Sequence, residues 1–345
     1  APIWIRCGAG TVSRGVVKKI RLAGTQGCME AECKRVSFGA MPELSILIPS
    51  YQSGEKLYAA LESVLSQEYD SLEIVVCDDG SDDLEESRLR AAAGECSIQI
   101  CRHETNVGTV RNLNDGLHQC KGTWVLLLGA DDTLAGKGVV SALMQRAQET
   151  DRDWLTGIAL LCDGDMDPTG YVRPSDAEMR LLRTGTPQLI WTYLCRDCFI
   201  PSGGTVYRRD FLQRLGGFDT QYRLVEDWPL FLKLVRLGEL PELLDIPLVC
   251  HRANGVSQDS AGQNKDYQYD LIETMRKEIF PHLDMLSGRD RKEIELLCRD
   301  KEAIYRLRFE CSGLTSKLCW GMIHLDTVFR KLIGKGRRPY CGNKL

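Results

Sequence analysis

Two pairs of adjacent aspartates, each after an apolar run, are the residues best suited to chemistry in this chain. Asp78 and Asp79 follow one run, and Asp131 and Asp132 follow another at residues 124–128. Mg²⁺ and Mn²⁺ prefer carboxylate oxygens and often bind through one or two carboxylates plus substrate phosphates. The alternative for the second pair is capping of the following turn, because aspartate is common at helix ends. The companion pair favours a metal–phosphate site with Asp132 as the metal ligand.

The elements that must position these aspartates follow from the hydrophobic pattern. Short apolar runs alternate with helical spacing over about 90 residues, which predicts an α/β fold with a mostly parallel central sheet and right-handed crossovers. Pro49 is expected to stop the first strand. Ligands of such sheets bind beyond the carboxyl ends of the strands, so both acidic pairs should emerge at one edge. The predicted strands are residues 44–48, 72–77, 98–101 and 124–128, and the predicted helices are residues 54–66, 82–93 and 107–120.

A glycine-rich phosphate loop is absent after the first predicted strand. Pro49, Ser50, Tyr51 and Gln52 stand there instead, and the chain contains neither GxGxxG after this strand nor GxxxxGK[ST]. This argues against a dinucleotide-binding domain, so a nucleotide must be held by side chains. Tyr51 offers a stacking face for a base, and Asp79 offers acceptors for a ring N–H.

Five stretches of sequence occur in one order: LSILIPSYQSGEKLYAALESVLSQEYDSLEIVVCDDGSDD (44–83), NVGTVRNLNDGL (106–117), WVLLLGADDTL (124–134), GGTVYRRDFLQRLGGFD (203–219) and VEDWPLFLKLVRLGELPELLDIPLVCHR (225–252). In this order they resemble the family 2 glycosyltransferases of the A-type fold. The resemblance covers roughly residues 43–257. The five stretches together are specific for this family, whereas no single stretch would be.

The resemblance implies an inverting transfer from a nucleotide-diphosphate sugar, with Mn²⁺ or Mg²⁺ as cofactor. Asp132 and Asp131 match the metal-binding motif, and Asp131 is also expected to contact the ribose. Asp227 matches the catalytic base, although a carboxylate at a helix N-terminus is also favoured by the helix dipole alone. The family often has a further Asp where this chain has Gly129. The remaining positions expected to bind the nucleotide are Pro49, Ser50, Tyr51, Asp79 and Arg111.

A second group of residues is expected to hold the donor sugar or the acceptor. Gly203 and Gly204 would let the backbone approach the sugar, Glu226 would position hydroxyl groups, and Arg252 would reach the diphosphate. Trp228 is assigned either to a sugar face or to the core. His251 is assigned either to the metal or to a structural role.

Composition restricts the partners and the compartment. The net charge of -4 offers no basic surplus for nucleic acid. The chain has 15 cysteines in no scaffold-like order, and no signal peptide is visible, which favours a reducing cytoplasm. Cys195 and Cys198 form a lone CxxC. A metal or redox role for this pair is the alternative, but the second cysteine pair of a zinc site is missing.

The chain is predicted to have three parts: an N-terminal extension without sustained structure at residues 1–42, a catalytic domain at 43–257, and a helical C-terminal region at 258–345. The catalytic domain divides into a nucleotide-binding half, 43–135, and an acceptor-binding half, 136–257. Residues 314–338 contain a basic amphipathic stripe that suits an anionic membrane surface, here the inner face of the plasma membrane. The alternative is a helix that packs on the catalytic domain.

The function predicted is sugar transfer, with a UDP-sugar as the expected donor, to a glycan or a lipid-linked acceptor during synthesis of bacterial surface polysaccharide. A scaffold or sensor that binds nucleotide sugars without catalysis is the first alternative. A nucleotidyltransferase is the second, although the glycine- and arginine-rich loop that it needs after the first strand is missing.

Overall fold

The computed structural model describes residues 41–253 and 264–310. The predicted tail at 314–338 and almost all of the predicted N-terminal extension lie outside these residues. The described strands are β1 Leu44–Ser50, β2 Leu72–Asp78, β3 Ile98–Arg102, β4 Trp124–Leu127, β5 Thr133–Leu134, β6 Trp154–Cys162, β7 Pro168–Arg173, β8 Thr205–Arg208 and β9 Glu242–Arg252. The described α-helices are α1 Glu55–Leu65, α2 Glu86–Ala93, α3 Thr109–Gln119, α4 Val139–Glu149, α5 Asp176–Thr184, α6 Pro187–Leu194, α7 Arg209–Arg214, α8 Asp227–Arg236, α9 Lys265–Thr274 and α10 Gly288–Tyr305.

One sheet joins these strands in the order β3-β2-β1-β4-β8-β6-β9-β5, and β7 pairs with β6. The four strands predicted from the sequence are parallel to one another, and β6 and β9 form a further parallel pair. The other pairs are antiparallel: β8 with both β4 and β6, β5 with β9, and β7 with β6. The parallel strands therefore build the first half, and the second half is mixed.

Pro49 does not stop the first strand, because β1 continues to Ser50 in register with β2. Pairing of β1 with β4 ends at Leu47, so the N–H that proline lacks is not needed on that side. The prediction was wrong because it ignored where the neighbouring strand stops. As a result Ser50 stays fixed beside the carboxyl end of β2.

Alternate residues of the parallel strands are buried on opposite faces of the sheet. Ile46 of β1 and Val76 of β2 pack in the cluster that contains helices α1 and α4. Leu47 and Val75 pack in the cluster that contains α3, α6 and α8. Strands buried on both faces read as continuous apolar runs, which is why the sequence revealed them.

The C-terminal helices share the core of the α3, α6 and α8 face. After α9 the chain forms a π-helical turn, Met275–Ile279, and a 3-10 helix, Phe280–Met285, before α10. Ile272 of α9, Ile279 and Ile294 of α10 are each buried in the same cluster as Phe231 of α8. The C-terminal region is therefore packed directly against the helix that begins at Asp227. Among the described helices, none is both long and apolar enough to span a bilayer.

Candidate active site

Asp132 and His251 meet where two short stretches of the sheet pair. Strand β5 runs antiparallel to β9 with Thr133 opposite Cys250, which places their neighbours Asp132 and His251 side by side. His251 Nδ1 lies 3.1 Å from Oδ1 and 3.0 Å from Oδ2 of Asp132, which is only 3% exposed. The backbone N–H of Arg252 donates to Oδ1 at 2.9 Å. The carboxylate of Asp132 is thus fixed by β9.

Negative charge accumulates around this pair. Burial, followed by the charge of Asp132, raises the pKa of Asp131. Burial of the His251 imidazole disfavours its protonated form, but the hydrogen bond and charge of Asp132 outweigh burial and raise the pKa of His251. The charge of Asp132 contributes to both shifts, and a negative charge of this kind favours a cation nearby.

The residues present fit a divalent ion that takes most of its ligands from a substrate. In the described part of the chain no group of three or more His, Cys, Asp and Glu side chains is arranged to hold a metal. Asp132 and His251 nevertheless supply oxygen and nitrogen donors 3.0 Å apart. Such an ion needs only one or two protein side chains when phosphates complete its coordination.

Arg252 fastens the loops around this site to one another. Its Nε donates to the carbonyl oxygen of Asp131 at 3.0 Å, and one terminal nitrogen donates to the carbonyl of Gly164. The guanidinium is half-buried, and these bonds direct it to backbone carbonyls. The sequence predicted contact with the diphosphate, for which the guanidinium keeps N–H groups on its terminal nitrogens.

The carboxyl ends of β1 and β2 form the second part of the site. Asp79 N donates to the carbonyl of Ser50 at 2.8 Å, so the two residues are side by side. The neighbouring Pro49 is half-buried, and Tyr51 is 52% exposed. Tyr51 therefore presents a ring to solvent at this edge, as a residue that stacks on a base must.

Asp79 connects β2 to the beginning of α3. Its Oδ1 accepts from the backbone N–H of Val107 at 2.7 Å, and its Oδ2 accepts from Gly108 at 3.0 Å. The side chain is 3% exposed. Each carboxylate oxygen has a second lone pair, so a base N–H can still be accepted, but Asp79 also has a structural task that the sequence did not reveal. Arg111, in the first turn of α3, is exposed beside this junction.

Gly108 allows the loop before α3 to close against a distant segment. Its φ is +94°, a conformation that other residues rarely adopt. A Cβ at this position would lie 2.7 Å from the carbonyl oxygen of Arg223. The start of α3 therefore contacts the segment that leads into Glu226 and Asp227.

The loop at residues 201–204 joins the acidic site to the start of α8. Ser202 Oγ donates to Glu226 Oε1 at 2.7 Å. A Cβ on the next residue, Gly203, would lie 3.2 Å from Asp132 Oδ2. Gly204 has a φ of +83°, and its N–H donates to the carbonyl of Leu127 at 3.1 Å. One short loop thus contacts both groups of acidic residues.

Asp227 is the first residue of α8, and both of its carboxylate oxygens are within hydrogen-bonding distance of donors. The backbone N–H of Trp228 lies 2.7 Å from Oδ1, and the Cys198 thiol lies 3.6 Å from Oδ2. Burial raises the pKa of Asp227 against the opposing effect of these bonds. Burial and then the charge of Asp227 raise the pKa of Glu226 to about 7. The pair is suited to accept a proton near neutral pH.

Trp228 lies in the core. Of the two roles predicted for it, contact with a sugar face or packing in the core, the structure shows the second. Trp228 is 3% exposed, and its indole N–H donates to the carbonyl of Leu194 at 2.8 Å. The Lys301 ammonium lies 5.7 Å from the ring centroid. Its ring packs against α6 and the C-terminal helices and holds the first turn of α8.

Cys198 and Ser202 were not recognised from the sequence as parts of the site. Cys198 was considered only as half of a CxxC, yet its partner Cys195 is 1% exposed in the core. Cys195 and Cys198 are both free thiols in the structure. The spacing of Cys198 and Asp227 along the chain does not predict their contact. Ser202 could have been recognised, because it is next to Gly203 in the sequence.

Comparison with known proteins gives one family and several bacterial relatives. The profile of the family described as Glycosyl transferase family 2 matches residues 45–216. An uncharacterized glycosyltransferase of Haemophilus influenzae is 25% identical over 239 residues, which are 66% of this chain and 75% of that protein. Glycosyltransferase GlyG of Streptococcus pneumoniae is 28% identical over 115 residues, which are 33% of this chain and 38% of that protein.

A third relative has a named substrate. The GalNAc(5)-diNAcBac-PP-undecaprenol beta-1,3-glucosyltransferase of Campylobacter jejuni is 34% identical over 111 residues, 32% of this chain and 36% of that protein. The chain therefore spans little more than a third of the pneumococcal and Campylobacter relatives.

Solved structures confirm the fold. The chain superposes on residues 1–349 of S. aureus TarS in complex with UDP-GlcNAc with a TM-score of 0.52 and 18% identity, covering 77% of this chain and 73% of that one. The mannosyltransferase PcManGT from Pyrobaculum calidifontis, in complex with GDP-Man and Mn²⁺, gives a TM-score of 0.54 and 15% identity over 86% of this chain and 84% of that one. The α/β architecture predicted from the sequence is the A-type glycosyltransferase fold.

Proposed function

This chain belongs to glycosyl transferase family 2, and we propose that it transfers one sugar with inversion from a nucleoside-diphosphate sugar to an acceptor hydroxyl. One observation carries the proposal. The 201–204 loop lies against Asp132 through Gly203 and against Glu226 through Ser202, so a site for a diphosphate and the neighbour of the proposed base Asp227 share one loop. A sugar held beside this loop would have its leaving group on one side and the base on the other.

The donor is proposed to bind along the carboxyl ends of β1, β2 and β4. Tyr51 would stack on the base, Asp79 would accept its N–H, and Asp131 would bind the ribose. Arg111 would face the phosphates. We propose a UDP-sugar as donor. Support for a nucleotide-sugar donor comes from the complexes of TarS with UDP-GlcNAc and of PcManGT with GDP-Man.

Asp132, together with His251, would hold Mn²⁺ or Mg²⁺. When bound, such an ion neutralises the charge that develops on the diphosphate as it leaves. The charge of Asp132, which contributes to the raised pKa values of Asp131 and His251, supports this assignment because it favours a nearby cation. Gly203 keeps the space beside the Asp132 carboxylate open.

The proposed chemical step is a single displacement. Asp227 takes the proton of the acceptor hydroxyl while the acceptor oxygen forms a bond to the anomeric carbon. The bond from that carbon to the diphosphate oxygen breaks, and the nucleoside diphosphate leaves with the electron pair. Because attack and departure occur on opposite faces, an α-linked donor gives a β-linked product. The raised pKa of Asp227 strengthens its action as a base relative to an exposed aspartate.

The acceptor is proposed to be a glycan or a lipid-linked sugar of a bacterial surface polysaccharide. The named substrate of the Campylobacter relative, an undecaprenol-linked glycan, supports this class. An enzyme with such an acceptor would act at the inner face of the plasma membrane. The basic amphipathic residues 314–338, known only from the sequence, would provide the contact.

A donor panel tests the proposal. The protein is incubated with UDP- and GDP-sugars, Mn²⁺ and short-chain lipid-diphosphate sugars, and release of nucleoside diphosphate is measured beside product mass. Transfer that is lost in Asp227→Asn supports the proposal. Tight donor binding without transfer or hydrolysis would instead support the non-catalytic sensor. Absence of binding to every nucleotide sugar would reject both.

A further inference from the structure

A single carboxylate oxygen of α9 binds the backbone just before Glu226 and Asp227. Oδ2 of Asp270 accepts from the backbone N–H groups of Arg223 at 2.8 Å, Leu224 at 2.6 Å and Val225 at 3.1 Å. Asp270 is 2% exposed. The three residues that it binds are consecutive, and Glu226 follows the last of them directly. We call residues 223–225 the anchored segment.

Three N–H groups that converge on one buried oxygen restrict the backbone strongly. Hydrogen bonds to a charged acceptor are roughly twice as strong as neutral ones. The bond to Val225 is buried and the other two are partly buried, so N–H groups left there without a partner would destabilise the segment. The anchored segment therefore has one favoured position while Asp270 is present.

The anchored segment also contacts the nucleotide side of the site. The carbonyl of Arg223 accepts from Val110 N at 3.1 Å, and the Arg223 guanidinium donates to Asn106 Oδ1 at 2.5 Å. Val110 lies in the first turn of α3, whose preceding residues are bound by Asp79. The anchored segment is thus held by α9 on one side and by the start of α3 on the other.

We propose that Asp270 is a positioning residue, which acts by fixing the anchored segment so that Asp227 points its carboxylate at the acceptor hydroxyl. The inference rests on the proposed function and goes beyond it, because it gives the C-terminal helices a part in the reaction. These helices lie outside residues 45–216, which match the family profile. A misplacement of about 1 Å in a reacting group can cost about 10²-fold in rate.

The test compares two aspartates of α9 in the full chain. Asp270→Ala removes the acceptor for all three N–H groups. Asp266→Ala is the matched control, because exposed Asp266 contacts the Arg223 guanidinium at 3.5 Å and not the anchored backbone. The measurements are single-turnover transfer, donor Kd by calorimetry and the circular dichroism of each variant at the assay temperature.

Asp270→Ala is expected to lower the single-turnover rate about 10- to 100-fold, with donor Kd changed less than about threefold. Asp270→Asn should recover most of the rate, because its amide oxygen still accepts N–H bonds, and Asp266→Ala should match the wild type. A folded Asp270→Ala protein with the wild-type rate would overturn the inference, and so would a rate loss explained entirely by a weaker donor Kd.

If Asp270→Ala does not fold, Asp270→Glu is used to test the positioning role. The longer side chain keeps the charge but moves the acceptor oxygen by one methylene. A lower rate with unchanged donor Kd supports positioning, and an unchanged rate overturns it. Failure of the wild type to transfer sugar would reject the proposed function, whereas a fully active Asp270→Glu beside an inactive Asp227→Asn would reject only the role of Asp270.

Discussion

His251 Nδ1 lies 3.0 Å from Oδ2 of Asp132, although 119 positions separate the two residues in the chain. Antiparallel pairing of β5 with β9 produces this contact, because Thr133 stands opposite Cys250. The backbone N–H of Arg252 then fixes the other carboxylate oxygen at 2.9 Å. We propose this imidazole and this carboxylate as ligands of a divalent ion, which would replace the proton of their hydrogen bond.

We predict that the reaction depends on a divalent metal through these two side chains. EDTA should abolish transfer, and Mn²⁺ or Mg²⁺ should restore it. Asp132→Asn should lose metal-dependent nucleotide binding, measured by calorimetry with and without Mn²⁺, and should lower transfer at least about 10²-fold, because the lost charge no longer balances the cation. Asp165→Asn, a change at an exposed acid of the β6–β7 loop, is the control. Full activity of exhaustively chelated enzyme would contradict the assignment.

Gly203→Ala should weaken metal-dependent donor binding by about tenfold without unfolding the protein. The new methyl group would lie 3.2 Å from Asp132 Oδ2, tighter than ordinary contact, so the carboxylate must shift. Donor Kd in the presence of Mn²⁺ measures the effect. Gly138→Ala is the matched control, because a Cβ there meets no atom within 4 Å. Equal donor Kd values for the two variants would show that space beside Asp132 is not needed.

The first half of the fold could be predicted because its strands are buried on both faces. Residues such as Ile46 and Leu47 belong to opposite clusters, so the whole run had to be apolar. The same pattern located both acidic pairs, since parallel strands end at one edge. The length of β1 was misjudged at Pro49, because the neighbouring strand that makes proline tolerable cannot be seen in a local pattern.

The contacts that complete the site depend on pairings between distant residues. Cys198 reaches Asp227 only because α6 packs on α8, and Asp270 reaches the anchored segment only because α9 packs on the same core. Neither contact can be predicted from the spacing of residues in the sequence. Trp228 shows the same limit, because an aromatic residue beside a catalytic acid suits a sugar face as well as a core until its burial is known.

Glu226→Gln should stabilise the protein above neutral pH. The folded-state pKa of Glu226 is raised from 4.5 to about 7, so between these values the folded chain holds a proton that the unfolded chain has released. Stability from this group is therefore lost as pH rises through that window. Each kcal/mol relieved should raise Tm by roughly 1–2 °C at pH 8 in a chain of this length, and the gain should vanish near pH 4. A variant that is less stable than the wild type at pH 8 would contradict the pKa assignment.

Asp227→Asn should separate proton removal from donor binding. The amide keeps the shape of the carboxylate and can still accept from the Trp228 N–H, so donor Kd should change little. Transfer should fall by roughly the 10²–10⁴-fold that general-base catalysis supplies. The pH profile gives the stronger evidence. Burial raises the pKa of Asp227, so wild-type kcat/KM should decline on acidification at a pH above the ordinary aspartate value of 3.8.

This decline on acidification, the acidic limb of the pH profile, should be missing from the residual activity of Asp227→Asn. The amide side chain of this variant has no group that titrates in this pH range. Glu226→Gln is the matched comparison, because the amide oxygen of Gln can accept from Ser202 Oγ as Glu226 now does. It should keep the acidic limb at nearly the wild-type pH, because Glu226, whose pKa is about 7 and is raised partly by the charge of Asp227, is already neutral where Asp227 titrates. Single-turnover transfer from pH 4 to pH 9, beside donor calorimetry, decides between the two acids. If Asp227→Asn keeps the limb and the rate while Glu226→Gln loses both, the base is Glu226.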